Sequence, residues 1–270
     1  KISGAGNMAQ ESSSSGNRRE FLDLTLNWNR AFKAHHPSAT LKYTQDAFVK
    51  TVALGDDLKE GVSRRNQALA GRFAYNYYRY FVDFNFGYNG SENFAKGHRF
   101  GFFPAYSLAW NIAEEKIIKK HLKWMNMFKL RYSYGKVGSD KLKIGDTTYR
   151  FPYLYTIKDD GNGWTWSDYG SPDNVYTGMQ YTQLASNNVT WEIATKHDAG
   201  VDLSLFNDKF TATVDYFHEQ RDGIYMERNY LPGIVGVNTY PKANVGSVRS
   251  KGFDGNFAYK QKIGKVNLTV

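Results

Sequence analysis

The chain has 270 residues, 35 Lys+Arg against 26 Asp+Glu (formal net charge +9), no Cys, and 18 Phe, 20 Tyr and 6 Trp. The length fits one large domain or two small ones, and the lack of Cys excludes disulfide scaffolds, Cys-ligated zinc, iron–sulfur clusters and thiol catalysis. A mean hydropathy of −0.59, with no stretch approaching ~18 consecutive apolar residues, excludes transmembrane helices, while 16% aromatic residues argue against disorder.

The first stretch, Lys1–Asn17, is polar and includes Ser12-Ser-Ser-Ser-Gly16, a flexible loop by composition. No charged n-region precedes an apolar run, so no signal peptide is visible, and the chain is expected to begin inside a longer protein. After it, apolar and polar residues alternate, the period of a strand with two unlike faces. Leu22, Leu24, Leu26 and Trp28 alternate with Asp23, Thr25, Asn27 and Asn29. Weaker runs follow at 39–50 and 68–77. Val82, Phe84, Phe86 and Tyr88 alternate with Asp83, Asn85, Gly87 and Asn89, and another weak run covers 100–110. Phe128, Leu130, Tyr132 and Tyr134 alternate with Lys129, Arg131, Ser133 and Gly135. Ala199, Val201, Leu203 and Leu205 alternate with Asp198, Gly200, Asp202 and Ser204. Phe210, Ala212, Val214 and Tyr216 alternate with Thr211, Thr213 and Asp215. Phe253, Phe257 and Tyr259 alternate with Asp254 and Asn256. A tenth run begins near Lys265, and its partner strand is expected outside this sequence.

Most of these runs reach ~9–12 residues, whereas soluble strands average ~5–6 and a membrane-crossing strand needs ~9–11. The expected connections are 34–38, 51–67, 78–79, 91–99, 111–123, 138–190, 206–209, 222–246 and 261–264. Short and long alternate, with 111–123, of intermediate length, as the one exception. Outer-membrane barrels place short turns on the periplasmic side and long loops outside, and carry aromatic girdles near the strand ends. The expected fold class is therefore all-β, an antiparallel transmembrane β-barrel wall of about ten strands. The alternating Asp, Asn, Thr, Ser and Gly residues suit a wide lumen, because barrels of ~8 strands fill their interior with side chains. Leu24, Phe84, Leu130, Val201 and Val214 are expected to face lipid, and Asp23, Asp83, Lys129, Asp202 and Asp215 to face inward. Loops 51–67, 138–190 and 222–246 are expected on one side of the sheet, opposite the turns 78–79 and 206–209. A soluble β-sandwich carbohydrate-binding module is the alternative, and it would hold the Leu and Phe rows between two stacked sheets.

Connection 138–190 gathers Tyr149, Tyr153, Tyr155, Trp164, Trp166, Tyr169, Tyr176 and Tyr181 with Asp159, Asp160, Asp168 and Asp173. Flat rings beside carboxylates suit recognition of sugars, whose apolar faces stack and whose hydroxyls donate. Trp164, Trp166, Asp168, Tyr169 and Tyr176 are the ligand-binding candidates, and packing onto the loop itself or onto a partner protein is the competing role. Asp159-Asp-Gly-Asn-Gly163 has the oxygen donors of a calcium loop, with Asp159 and Asp160 as ligands for Ca2+, but it lacks the bidentate Glu of an EF-hand. A plain turn is the preferred reading. His35-His36-Pro37 lacks a third metal ligand nearby and reads as a turn. Lys116, Lys119, Lys120 and Lys123 beside Trp124 form a short basic turn that fits either anionic headgroups or solvent. Glu114-Glu115 and the strand carboxylates carry no catalytic signature, and no Gly-X-Ser-X-Gly, P-loop or Rossmann fingerprint occurs. No nucleic-acid-binding signature accompanies the positive charge.

Four segments carry a family resemblance. Arg99-Phe-Gly-Phe-Phe-Pro-Ala-Tyr-Ser-Leu-Ala-Trp110, followed by Glu114-Glu115, resembles a hallmark strand of SusC/RagA-type TonB-dependent transporters. Phe128-Lys-Leu-Arg-Tyr-Ser-Tyr-Gly-Lys-Val-Gly138 is similar to the family's next strand. Trp191 to Phe206, with Phe210 to Tyr216, looks like its Trp-Glu hairpin, and Asn244-Val-Gly-Ser-Val-Arg-Ser-Lys-Gly-Phe253 resembles its later strand entry. The matches cover about 75–260 in family order; 1–70 matches by pattern alone. The resemblance implies a barrel of ~22 strands around an N-terminal plug. No plug and no TonB-binding box is found here, and ~22 strands of ~10 residues would take ~220 residues. Residues 1–270 are thus expected to be part of a TonB-dependent receptor β-barrel domain, with 138–190 a long extracellular loop. The implied activity is import of glycans (or oligopeptides) across a Gram-negative, Bacteroidetes-type outer membrane. The implied partners are outer-membrane lipid, a SusD-like surface lipoprotein as lid, and TonB–ExbB–ExbD acting through the plug. No enzymatic chemistry is implied. A passive porin or barrel adhesin is the second expectation.

Overall fold

The computed structural model describes residues 15–52, 58–166, 174–229, 232, 234, 239–263 and 266–270. In chain order the strands are β1 (Asn17–Asn29), β2 (His35–Lys50), β3 (Arg64–Tyr77), β4 (Tyr80–Ser91), β5 (Phe100–Asn111), β6 (Met125–Ser139), β7 (Leu142–Ile144), β8 (Thr147–Tyr149), β9 (Thr156–Trp166), β10 (Asn174–Gln183), β11 (Glu192–Leu205), β12 (Phe210–Glu227), β13 (Lys242–Ile263) and β14 (Val266–Thr269). Ten of them make one sheet in the order β1-β2-β3-β4-β5-β6-β11-β12-β13-β14, every neighbouring pair antiparallel. Antiparallel meander order follows from hairpin connections between neighbours. The sheet is an open wall, not a closed cylinder.

The register aligns the alternating residues into rows. Residues directly opposite each other across strands share a face. Leu24 pairs with Tyr43, Tyr43 with Leu69, Leu69 with Tyr88 and Tyr88 with Phe102. Trp110, Leu130, Val201 and Val214 form a second apolar row, and Val82, Leu108, Tyr132, Ala199, Tyr216 and Phe253 a third. Asp83, Ser107, Ser133 and Asp198 run across the other face, as do Lys129, Asp202, Thr213 and Asn256. The apolar rows are the open ones: Leu24 is 57% exposed and Phe84 40%. The side chains of Asp83 and Asp215 are each 19% exposed. Among the described residues no second large sheet covers the apolar face; the other two sheets are the hairpins β7–β8 and β9–β10. The sandwich alternative is therefore excluded for the described residues.

Connections 30–34, 78–79, 112–124 and 206–209 lie at one end of the strands. Connections 51–63, 92–99, 140–191 and 228–241 lie at the other. The expected loops 51–67, 138–190 and 222–246 thus fall opposite the turns 78–79 and 206–209, while 112–124 is a longer connection at the end of the turns. The buried cluster of large apolar residues, Phe94, Phe103, Leu142, Val189, Trp191 and Tyr225, sits at the long-connection end.

Several local expectations are corrected. His35-His36-Pro37 starts β2 instead of forming the turn. The turn is closed one step earlier, by Arg30 N–H donating to the Pro37 carbonyl (3.1 Å) and by paired bonds between Phe32 and His35; Pro37 fits there because its position needs an acceptor and no donor. Residues 138–190 are not one loop but carry the hairpins β7–β8 and β9–β10. Asp159 to Gly163 lie in β9, so the plain turn expected there is a strand. Strands β12 and β13 run on to Glu227 and back from Lys242, which shortens the expected 222–246 connection. The basic turn after β5 contains a 3-10 turn, Ile112–Glu114, and a helix α1 (Lys116–His121). The strand near Lys265 pairs with β13 inside this chain.

Candidate functional site

The polar face of the wall is an ion-pair network built across strands. Arg72 on β3 donates twice to Asp83 Oδ2 on β4, from Nε at 2.8 Å and Nη2 at 2.5 Å. Lys42 on β2 reaches Asp23 on β1 at 2.8 Å. Arg131 on β6 spans two strands: it donates to Asp202 at 2.8 and 3.0 Å and to Asp215 at 2.9 and 3.2 Å. Its reach to Asp215 passes over Gly200, where a Cβ would stand 1.9 Å from Asp215 Oδ1. Lys196 pairs with Glu219, and Arg221 bridges Glu192 and Glu219. Charges so arranged are stable beside an enclosed polar space, since each is hydrogen-bonded to its opposite. The network pairs the charges of this face while leaving it hydrophilic.

The long-connection end is tied into a cap. Phe103 leaves the polar face of β5 and meets Trp191 edge-on at 5.2 Å, and Trp191 also meets Phe94 at 5.2 Å. The ring of Phe103 lies where a Cβ on Gly138 would fall, 2.0 Å from its Cζ, so only glycine fits at that step of β6. Arg150, after β8, donates to the Lys59 carbonyl (3.1 Å), the Val62 carbonyl (3.4 Å) and Glu92 Oε1 (3.3 Å), which joins three connections. Burial pushes the Glu92 carboxyl above its ordinary range, against the opposing pull of Arg65 and Arg150. Gln183 donates to the carbonyls of Phe151 (2.9 Å) and Leu154 (3.0 Å) and accepts from Lys59 (3.1 Å). Asn244 clasps both backbone groups of Thr190 and the Gly223 carbonyl. Asp140 accepts from Ser91 (2.6 Å), and its carbonyl accepts from Asn93 (3.1 Å). Beneath this cap a cleft of about 800 Å³ is lined by residues including Asp46, Phe48, Arg65, Glu92, Arg99 and Tyr153.

Three of the candidate ligand residues, Trp164, Trp166 and Tyr176, fall on the second hairpin of the cap. Trp164 lies opposite Tyr176, and Trp166 opposite Asn174, in the β9–β10 register. Tyr176 is exposed, as are Tyr155, Ile157, Met179 and Tyr181 on the same arm. Asp168 and Tyr169 lie outside the described residues. Asp159 is exposed on β9 beside Asp160. Among the described residues no group of three or more His, Cys, Asp or Glu is placed to hold a metal ion. The His35 ring instead bonds Tyr75 Oη through Nδ1 (2.6 Å) and stacks on Tyr77 at 4.5 Å. Sequence reasoning missed Arg131, Arg150, Gln183 and Asn244. The alternation had placed Arg131, Asp202 and Asp215 on one face, which was the available signal; the other three announce themselves by no local pattern.

A family model described as "TonB dependent receptor-like, beta-barrel" matches residues 5–269. The chain is 28% identical over 185 residues to TonB-dependent receptor P3 of Formosa agariphila, covering 68% of this chain and 17% of the relative. It is 27% identical over 176 residues to TonB-dependent receptor SusC of Bacteroides thetaiotaomicron, covering 65% and 16%. The chain thus spans about a sixth of the length of these curated relatives. Among solved structures it is similar to the RagAB peptide importer in the closed-closed state, with TM-score 0.67, 15% identity, and coverage of 93% of this chain and 28% of that one. It is also similar to the siderophore receptor PirA from Pseudomonas aeruginosa, with TM-score 0.56, 13% identity, and coverage of 94% and 43%. At these identities the structural likeness concerns the fold.

Proposed function

The chain belongs to the TonB dependent receptor-like β-barrel family, and from that membership we propose that it is part of the barrel wall of a SusC-like importer in the outer membrane of a Gram-negative bacterium. The observation that carries this reading is the inverted exposure of the wall. Its apolar rows are open, while Asp83, Asp202 and Asp215 on the opposite rows are ion-paired and less exposed. In water each apolar Å² left exposed forgoes about 25 cal/mol, whereas hydrocarbon accepts the same surface without loss. The antiparallel ladder satisfies the backbone groups between its strands, as a lipid-facing wall requires.

Under this proposal residues 1–270 are one partial barrel domain and 138–190 is its long extracellular connection. Glycans or oligopeptides pass the polar face, energy enters through TonB–ExbB–ExbD acting on a plug, and a SusD-like lipoprotein closes the outer end. No covalent step is assigned to these residues. The similarity to TonB-dependent receptors, SusC among them, supports the transporter class. The exposed Tyr-rich arm of β9–β10 supports contact with a sugar or with the lid. The test is uptake of a labelled oligosaccharide or oligopeptide mixture by cells carrying the full-length protein, with and without TonB. Accumulation that needs TonB supports the importer; equal entry without TonB points to a passive porin.

A further inference from the structure

At the short-connection end the lipid-facing rows finish in a band of rings. His35, Tyr77, Tyr80 and Trp110 are successive cross-strand neighbours on β2, β3, β4 and β5. Tyr80 stacks on Trp110 at 6.3 Å. Aromatic belts of this kind sit at headgroup level. Just beyond the band, a cleft of about 800 Å³ opens between the Tyr77–Tyr80 hairpin and α1, lined by Tyr78, Arg79, Glu114, Lys116, Lys119 and Lys120. Four cations stand here with two carboxylates, Glu114 and Glu115. Lys119 is held by Glu114 and Arg79 by Glu115, each at 2.7 Å. Glu115 also accepts from Tyr80 Oη (3.0 Å) and Trp110 Nε1 (3.1 Å), so it belongs to the girdle. Lys116 and Lys120 have no ion-pair partner among the described residues, and at i and i+4 they share one face of α1. Between them in sequence, Ile117 is 74% exposed. Tyr78, at φ 51°, holds a ring that is 72% exposed at the cleft's other wall.

We propose that this cleft binds the phosphate-bearing headgroup of an anionic phospholipid in the leaflet at the short-connection side. The position unites three things that such a lipid needs: apolar strands for its chains, rings at its glycerol level, and two unpaired ammonium groups for its phosphate. A zwitterionic lipid brings its own cation to the phosphate and gains less from Lys116 and Lys120. The proposal rests on the reading that the apolar rows face lipid.

The test is native mass spectrometry of the full-length protein, delipidated in detergent and titrated with phosphatidylglycerol, with phosphatidylcholine of the same chains, or with inorganic phosphate. Phosphatidylglycerol should bind in preference to phosphatidylcholine. A surface lysine near an anionic headgroup is worth about 5-fold, so K116Q/K120Q should weaken phosphatidylglycerol on the order of 25-fold and leave phosphatidylcholine unchanged. K116R/K120R should keep the preference, which separates loss of charge from loss of folding. Equal binding of the two lipids overturns the proposal, as does an unaltered preference in K116Q/K120Q or displacement of phosphatidylglycerol by equimolar inorganic phosphate. Failure to retain either lipid strikes instead at the lipid-facing reading of the wall.

Discussion

Asp83 and Phe84 are chain neighbours that the pleat of β4 sends to opposite faces. Asp83 is fixed by Arg72, and Phe84 stands open beside Phe73 and Tyr106. Charge on the Phe84 side has no partner and meets hydrocarbon. Phe84→Arg should therefore destabilise the barrel by about 2–4 kcal/mol, while Tyr80→Arg at the girdle costs about 0–1 kcal/mol; urea unfolding from lipid vesicles measures both. Arg150 shows the opposite case, a cation whose bonds are all internal. Arg150→Met should loosen the cap by about 2–3 kcal/mol, because two carbonyls and Glu92 lose their donor. Glu92 behaves otherwise. Burial raises its folded pKa above the unfolded one, so the folded cap holds the proton more tightly. Its contribution is greatest below the ordinary carboxylate range and declines as pH rises through the raised value. Protection from hydrogen exchange across 58–63 and 140–153, taken relative to the intrinsic rate at each pH, should fall from acid to neutral pH, and Glu92→Gln should flatten that dependence.

Among the elements, the β9–β10 arm exposes Tyr176 and Tyr181. An aromatic contact contributes about 1 kcal/mol beyond area. Trp164→Ala with Trp166→Ala should weaken ligand or lid-protein binding about 10- to 30-fold by calorimetry; an unchanged affinity assigns these rings to packing alone. The strands were legible from the sequence because period-two alternation needs no distant partner: Leu22 to Trp28 and Phe128 to Tyr134 each declare two faces on their own. The hairpins inside 138–190 were not legible. Leu142–Ile144 and Thr147–Tyr149 are too short to establish a period, and they are held in place by Tyr225 and Lys242, which lie on later strands. Helix α1, at six residues, is likewise too short to show an apolar stripe. His35 to Pro37 was misplaced because His and Pro read as turn residues, although a strand tolerates Pro where only its carbonyl is used.

Across the whole wall, the two ends differ in chemistry. One carries close turns, α1 and unpaired lysines; the other carries the bonded cap. If the cap is extracellular, a cysteine at Asp146 in the β7–β8 turn should label on intact cells with a membrane-impermeant maleimide. A cysteine at Lys209 in the β11–β12 turn should label only after permeabilisation. These residues contain no Cys of their own, so each probe is single within them. Equal labelling of both sites would refute the assigned sidedness. What the sequence alone determined is which residues share a face and that the greasy face is long enough to cross a bilayer, since both follow from local backbone geometry and the count of residues per strand. What only the tertiary structure decided is the register: which Asp meets Arg131, which carbonyls Arg150 ties together, and which lysines of α1 stay unpaired. Those depend on contacts between residues up to about ninety positions apart, and no local pattern encodes a pairing whose energy arises only when distant strands are brought side by side.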